Sequence, residues 1–122
     1  MDGLLLFAHG ARDPAWARPF EIVTERLRAA RPGTPVVMAY LEFMTPDMEA
    51  AAAQLAAAGC TRVHVMPLFL GTGGHVRRDV PLLMARLREV HGDAIEWQLH
   101  APLGDQDAVL QAIAQACLAP LE

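Results

Sequence analysis

Two histidines and one glycine-rich stretch are the residues of this chain best suited to chemistry. His9 stands in Ala8-His9-Gly10-Ala11-Arg12-Asp13, directly after an apolar run, and His75 closes Gly71-Thr72-Gly73-Gly74-His75 after a second one. A neutral imidazole can bind a transition metal or accept a proton near neutral pH. Glycines let a large flat ligand approach the main chain, because no Cβ stands in the way. Arg12, Arg77 and Arg78 flank the two histidines and offer fixed positive charge to carboxylates or phosphates. Glu42 follows a third apolar run and is a candidate to bind metal or move protons, with a helix-dipole partner as the plainer reading.

These groups are useful only if the fold brings them together. Leu4–Ala8 reads as a strand buried on both faces, Pro35–Leu41 as a second, Thr61–Leu70 as a third and Ile95–Leu99 as an alternating edge strand. Helical patterns lie between them. Asp13-Pro14 opens the first, with Trp16, Phe20, Val23 and Leu27 inward and an irregular first turn ahead of Pro19. Thr45-Pro46-Asp47 caps the second, which carries Met48, Ala52 and Leu55 and stops at Gly59. Asp79 is expected to cap the third, with Leu83, Leu87 and Val90 on one face, and Asp105–Leu118 forms the last. Strands alternating with helices call for a parallel sheet joined by right-handed crossovers. The expectation is a single flavodoxin-like α/β domain over 1–122, a four-stranded parallel sheet of order 2-1-3-4 with helices on both faces. In that order strands one and three are neighbours at the switch point where such sheets bind ligands. His9 and His75 then arrive at one crevice, while His100 ends strand four on the same edge and His64 lies mid-strand.

Composition narrows the function classes. The 122 residues are 53% hydrophobic and 20% charged, as expected of one globular core and not of a disordered chain. No apolar run approaches the roughly 18 residues of a membrane span, and Met1-Asp2-Gly3 lacks the basic start of a signal peptide, so the expected location is the cytoplasm. A net charge of −4 argues against a nucleic-acid surface. Cys60 and Cys117 lie among apolar residues and read as buried free thiols.

Two phosphate readings fail on detail. Ala8 stands where an Arg-His-Gly phosphatase needs arginine, and Gly71-Thr72-Gly73-Gly74 lacks the Gly-Lys-Ser/Thr ending of a nucleotide-binding loop. No ATP site is expected.

Three motifs together resemble a known family: His-Gly-x-Arg-Asp after strand one, Leu41-Glu42-Phe43-Met44-Thr45-Pro46 after strand two, and Pro-Leu-Phe-Leu-x-x-Gly-x-His-x-x-x-Asp-x-Pro over Pro67–Pro81. They are similar to the class II tetrapyrrole chelatases, and among these to the short CbiX-type sirohydrochlorin cobaltochelatases, over essentially the whole chain. The resemblance implies ATP-independent insertion of a divalent metal, usually cobalt, into sirohydrochlorin on the cobalamin pathway; relatives insert iron or nickel. It implies His9 and His75 as metal-binding catalytic residues, with His9 the proton acceptor. It also implies tetrapyrrole binding at Thr45 and at Leu70, Gly71, Thr72, Gly73, Gly74 and His75, and a homodimer. Ala11 departs from the serine common in relatives, which removes a hydrogen bond but no ligand. The metal is then a substrate and not a permanent cofactor. Imidazole suits cobalt, nickel or iron better than magnesium. The macrocycle's carboxylates are candidates for Arg12, Arg77 and Arg78, and its flat face for Leu70 and Met44. A non-catalytic module that carries metal or tetrapyrrole would use the same histidines.

Overall fold

The computed structural model describes residues 1–122. Four strands, β1 (Asp2–Ala8), β2 (Val36–Tyr40), β3 (Arg62–Pro67) and β4 (Glu96–Leu99), form one parallel sheet of order β2-β1-β3-β4. Leu6 pairs with Met38 on one side and Met66 on the other, which fixes the register of the three long strands. The helices are α1 (Arg18–Ala30), α2 (Met48–Ala57), α3 (Gly74–His91) and α4 (Asp107–Leu118). No helix is long and apolar enough to cross a membrane.

Side chains alternate across the strands, so the sheet has two cores of unequal depth. Leu5, Phe7, Val63, Val65 and Trp97 face α2 and α3 in a cluster of 17 buried residues. Leu6, Ala8, Val36, Met38 and Tyr40 face α1 in a cluster of only 6. On that thinner side the turn ahead of α1 contributes Ala17 and α1 itself Thr24 as buried residues, while Val23 is 41% exposed and not the core residue its spacing suggests. Thr24 satisfies its hydroxyl by donating to the Phe20 carbonyl at 2.8 Å.

The first helix begins as expected. Asp13 caps a short 3-10 turn over Pro14–Ala17 by accepting from the Ala15 N–H, and the regular helix follows with Pro19 in its first turn. The second begins later than expected. Asp47, not Thr45, is its cap, accepting from Ala50 N–H at 2.8 Å. Thr45 and Pro46, joined by a cis peptide bond, are left in the loop at the sheet's edge.

The third helix corrects the sequence reading most. It starts at Gly74, so Asp79 lies in its second turn and caps nothing, and Pro81 sits inside it. Val76, Val80, Met84 and Leu87 are its buried residues. Burying Val76 and Val80 stabilises the early start by roughly 1.5–3 kcal/mol each, which outweighs about 1 kcal/mol for a glycine in the first turn. Val90, at the far end of the stripe, is 53% exposed.

The last helix differs in a second way. None of its residues is buried; Leu110, Ile113 and Leu118 are 41–48% exposed. Cys117 is therefore an exposed thiol, whereas Cys60 is buried against Gly3 and Leu55.

Candidate active site

The carboxyl ends of β1, β2 and β3 and the start of α3 form one rim, and each expected site residue lies on it. Beyond the strands the ladder continues for two rungs: Leu41 N–H donates to Ala8 and Glu42 N–H to His9, at 2.9 and 3.0 Å. That extension brings the Glu42 side chain to His9, with Nε2 2.9 Å from Oε1. Both side chains are close to half exposed, 42% and 48%, so solvent or a ligand reaches them. Gly10 makes the approach feasible. Its φ is +93°, and a Cβ there would stand 1.9 Å from the Glu42 carbonyl oxygen.

His75 occupies the first turn of α3, one residue after its start, and not a free loop. Its Nε2 is 2.9 Å from Asp79 Oδ2 one helical turn on. The imidazole is 67% exposed and the carboxylate 33%. The rim thus carries two imidazole–carboxylate pairs, one bridging the ends of β1 and β2 and one within the start of α3. Nowhere do three or more His, Cys, Asp and Glu side chains converge as a metal site. The donors come in twos.

The stretch leading into α3 is open. Leu70 is 63% exposed, directly ahead of the exposed Gly71, Gly73 and Gly74. Thr72 Oγ1 accepts from Arg77 Nε at 3.3 Å, which ties the loop to the helix that follows. Arg78 is exposed beside it, and Arg12 lies across the rim with its guanidinium carbon 4.7 Å from the centre of the Phe43 ring.

Two further residues belong to this rim although the sequence reading passed over them. Phe43 has φ +66° and is 56% exposed, held there by Met44 N–H donating to the Glu42 carbonyl at 2.8 Å. An i to i+2 bond around a residue at positive φ is the rare, strained γ-turn. Phe43 is the exposed apolar side chain of this loop, while Met44 is half-buried, packing against the α1-side core and lining the clefts beside it. Nothing in the sequence marks this, since a phenylalanine after a strand reads as core. Gly104 is the second. A Cβ there would stand 1.6 Å from the Leu70 carbonyl oxygen, and its N–H donates to Phe69 at 2.9 Å. A lone glycine after Pro102-Leu103 was the only signal.

Two clefts of about 490 and 570 Å3 lie by the β2 edge, and Thr45 lines both. The larger also takes in Glu42 and Phe43. Neither includes a histidine, so the histidine rim is a surface and not a closed pocket. His100 turns away from it: its Nε2 is 2.9 Å from His64 Nδ1, the rings stack at 5.2 Å, and His64 Nε2 lies 3.0 Å from Asp2. That hydrogen bond from His64, helped by Arg62, holds the Asp2 carboxyl below its usual range.

Comparison with known proteins shows the family and the fold. The CbiX family model matches residues 3–118. A sirohydrochlorin cobaltochelatase of Saccharolobus islandicus is 32% identical over 114 residues, covering 89% of this chain and 88% of that protein. One from Methanococcus maripaludis is 31% identical over 84 residues, covering 69% and 58%. Among solved structures, a CbiX protein of Marinobacter aquaeolei superposes with a TM-score of 0.86 at 29% identity, over 99% of this chain and 98% of that one. The chelatase SirB of Bacillus subtilis subspecies spizizenii, in complex with cobalt, superposes at 0.79 and 24% identity. That match covers 93% of this chain and 48% of SirB, and shows a shared fold.

Proposed function

Because the chain belongs to the CbiX family, we propose that it is a sirohydrochlorin chelatase that inserts a divalent metal, cobalt by preference, in cobalamin biosynthesis. The observation that carries the reading is the His9–Glu42 pair, 2.9 Å apart and open to solvent, at the end of the strand that neighbours β3, whose following residues include the exposed Leu70. Insertion exchanges two pyrrole protons for one divalent ion. A rim with two imidazole–carboxylate pairs suits that stoichiometry. Each imidazole can take up one proton or hold a cation in its place.

Roles follow from position. His9 is the proton acceptor, and Glu42 orients its ring and stabilises the imidazolium that forms. His75, oriented by Asp79, serves the other side of the ring centre. Two nitrogen donors hold cobalt, nickel or iron loosely enough to release it to four ring nitrogens. The macrocycle lies on Leu70 and the glycines that follow, with Phe43 and Thr45 at the β2 side. Arg12, Arg77 and Arg78 receive its carboxylates. The functional unit in this reading is a homodimer, which closes over a surface that one copy leaves open.

The metal is the finer part of the proposal. The Saccharolobus and Methanococcus relatives are cobaltochelatases, whereas SirB structures exist with cobalt and with Fe3+. Initial rates of insertion, followed by the change in the absorption spectrum of sirohydrochlorin, separate these outcomes. Many turnovers with Co2+, faster than with Fe2+ or Ni2+, are expected. Stoichiometric binding without turnover would instead make the chain a carrier.

A further inference from the structure

Two histidines of the chain take no part in the rim, and the sheet aligns them with a carboxylate. Asp2 stands on β1, His64 on β3 and His100 just past β4, all on the face that carries Leu4 and Met66. Leu4 pairs with His64 and His64 with Gln98, so each step across the sheet, from Asp2 to His64 to His100, also climbs two residues. A diagonal line of hydrogen bonds results. Asp2 Oδ2 lies 3.0 Å from His64 Nε2, and His64 Nδ1 lies 2.9 Å from His100 Nε2. Both imidazoles are half-buried, shielded yet within reach of solvent.

The carboxylate sets the tautomers. Hydrogen bonding from His64 holds the Asp2 carboxyl below its usual range, so it stays ionised and only accepts. Neutral His64 therefore carries its proton on Nε2 and turns its Nδ1 lone pair toward His100, which donates from Nε2. A metal-ligating histidine has this setting: its outer N–H goes to a carboxylate and its other nitrogen to the ion. At the rim each imidazole stands alone with its carboxylate, whereas here two ring nitrogens from neighbouring strands face each other. Metal–imidazole bonds of about 2.0–2.1 Å at a right angle put their nitrogens about 2.9 Å apart, while a tetrahedral angle needs about 3.3 Å. The observed 2.9 Å is the right-angled spacing, which suits tetragonal Ni2+ or Cu2+. No net loss of protons is required. His100 moves its own proton from Nε2 to Nδ1, and both facing lone pairs are then free to bind.

We propose that His64 Nδ1 and His100 Nε2 form a second divalent-metal site, apart from the histidine rim, that takes Ni2+ or Cu2+ ahead of Zn2+, with Asp2 orienting His64 from its far side. Two protein donors leave the other coordination positions to water, so the ion exchanges and is no permanent part of the fold. While bound, it clamps the edge strand β4, only four residues long, to β3. The site does not depend on the chelatase reading, because its test reads metal binding in a chain whose rim histidines are gone.

The experiment uses the full, untagged chain carrying His9→Ala and His75→Ala, its fold checked by circular dichroism. It is titrated with Ni2+ by calorimetry at about pH 7.5, where imidazole is neutral. One Ni2+ per chain is expected, and proton NMR should show the His64 and His100 ring signals broadened while those of His91 stay sharp. Adding His64→Gln or His100→Gln should weaken binding about thirtyfold or more, and Asp2→Asn roughly tenfold to a hundredfold. Zn2+ should bind more weakly than Ni2+. If the doubly substituted chain does not fold, the wild type decides, and there His64→Gln should bind one Ni2+ fewer. Affinity and stoichiometry that survive His64→Gln and His100→Gln overturn the proposal, as does the absence of Ni2+ binding. An unchanged affinity in Asp2→Asn, or tighter binding of Zn2+ than of Ni2+, overturns it as well.

Discussion

His9 and Glu42 are joined twice, by a backbone hydrogen bond of 3.0 Å and by a side-chain contact of 2.9 Å. The backbone link fixes where the carboxylate starts, and the side-chain link fixes which ring nitrogen it occupies. An ionised carboxylate only accepts, so neutral His9 carries its proton on Nε2 and keeps the Nδ1 lone pair free. Removing the imidazole should therefore remove the base. His9→Ala is expected to lower kcat for cobalt insertion by roughly 10²–10⁴-fold, the usual contribution of a positioned base. Glu42→Gln retains the bond but not the charge, and should cost about tenfold in kcat. A rate within twofold of wild type for His9→Ala would remove that residue from the chemistry.

Gly10 is the hinge of this arrangement. Alanine there meets both a positive φ and the Glu42 carbonyl at 1.9 Å. Gly10→Ala should lose about 2–4 kcal/mol of stability in urea denaturation, within the range for strain at a special backbone position. In the folded fraction, metal insertion should fall as Glu42 moves away from His9.

Gly104 governs the other side of the rim. A side chain there displaces the Leu70 backbone, whose own side chain is proposed to touch the macrocycle. Gly104→Ala is expected to raise KM for sirohydrochlorin about tenfold and to leave His9-dependent proton transfer intact, so that kcat changes less than KM. The reverse pattern would place Leu70 outside the binding surface.

Cys60 supplies a pH dependence of stability. Burial pushes its thiol above its ordinary range, and burial with the nearby Glu21 charge does the same to Tyr40. A raised folded-state pKa means that the unfolded chain loses its proton first. Stability is then complete below about pH 8.5, the unfolded thiol value, and falls as pH rises through the folded value. Urea midpoints should decline between pH 8 and pH 10, and Cys60→Ala should flatten the thiol's part of that decline, with Tyr40 contributing only at the upper end.

Much of this architecture was legible in the sequence because strands buried on both faces read as continuous apolar runs. Leu4–Ala8 and the Val-rich third run announce a parallel sheet, and its switch point places His9 and His75 on one edge. The start of α3 was not legible, since Gly73, Gly74 and Pro81 all read as breakers while the burial that overrides them depends on tertiary contact. The partners of the histidines were hidden for a similar reason. Glu42 reaches His9 through a ladder extension between strands, and Asp79 reaches His75 only once the helix begins five residues earlier than its apparent cap. Phe43 and Gly104 owe their roles to a turn and a close approach that no local pattern encodes.

The unequal filling of the two sheet faces, 17 buried residues against 6, sets an order of failure. Hydrogen exchange should find α1 opening at lower free energy than α2 and α3, because fewer apolar contacts hold it down. His75 and Asp79 ride on the deeply rooted side, whereas the 3-10 turn after Arg12 leads into the shallow one. Under mild denaturant the candidate site would thus come apart from its Arg12 flank, while the half built on α3 still stands.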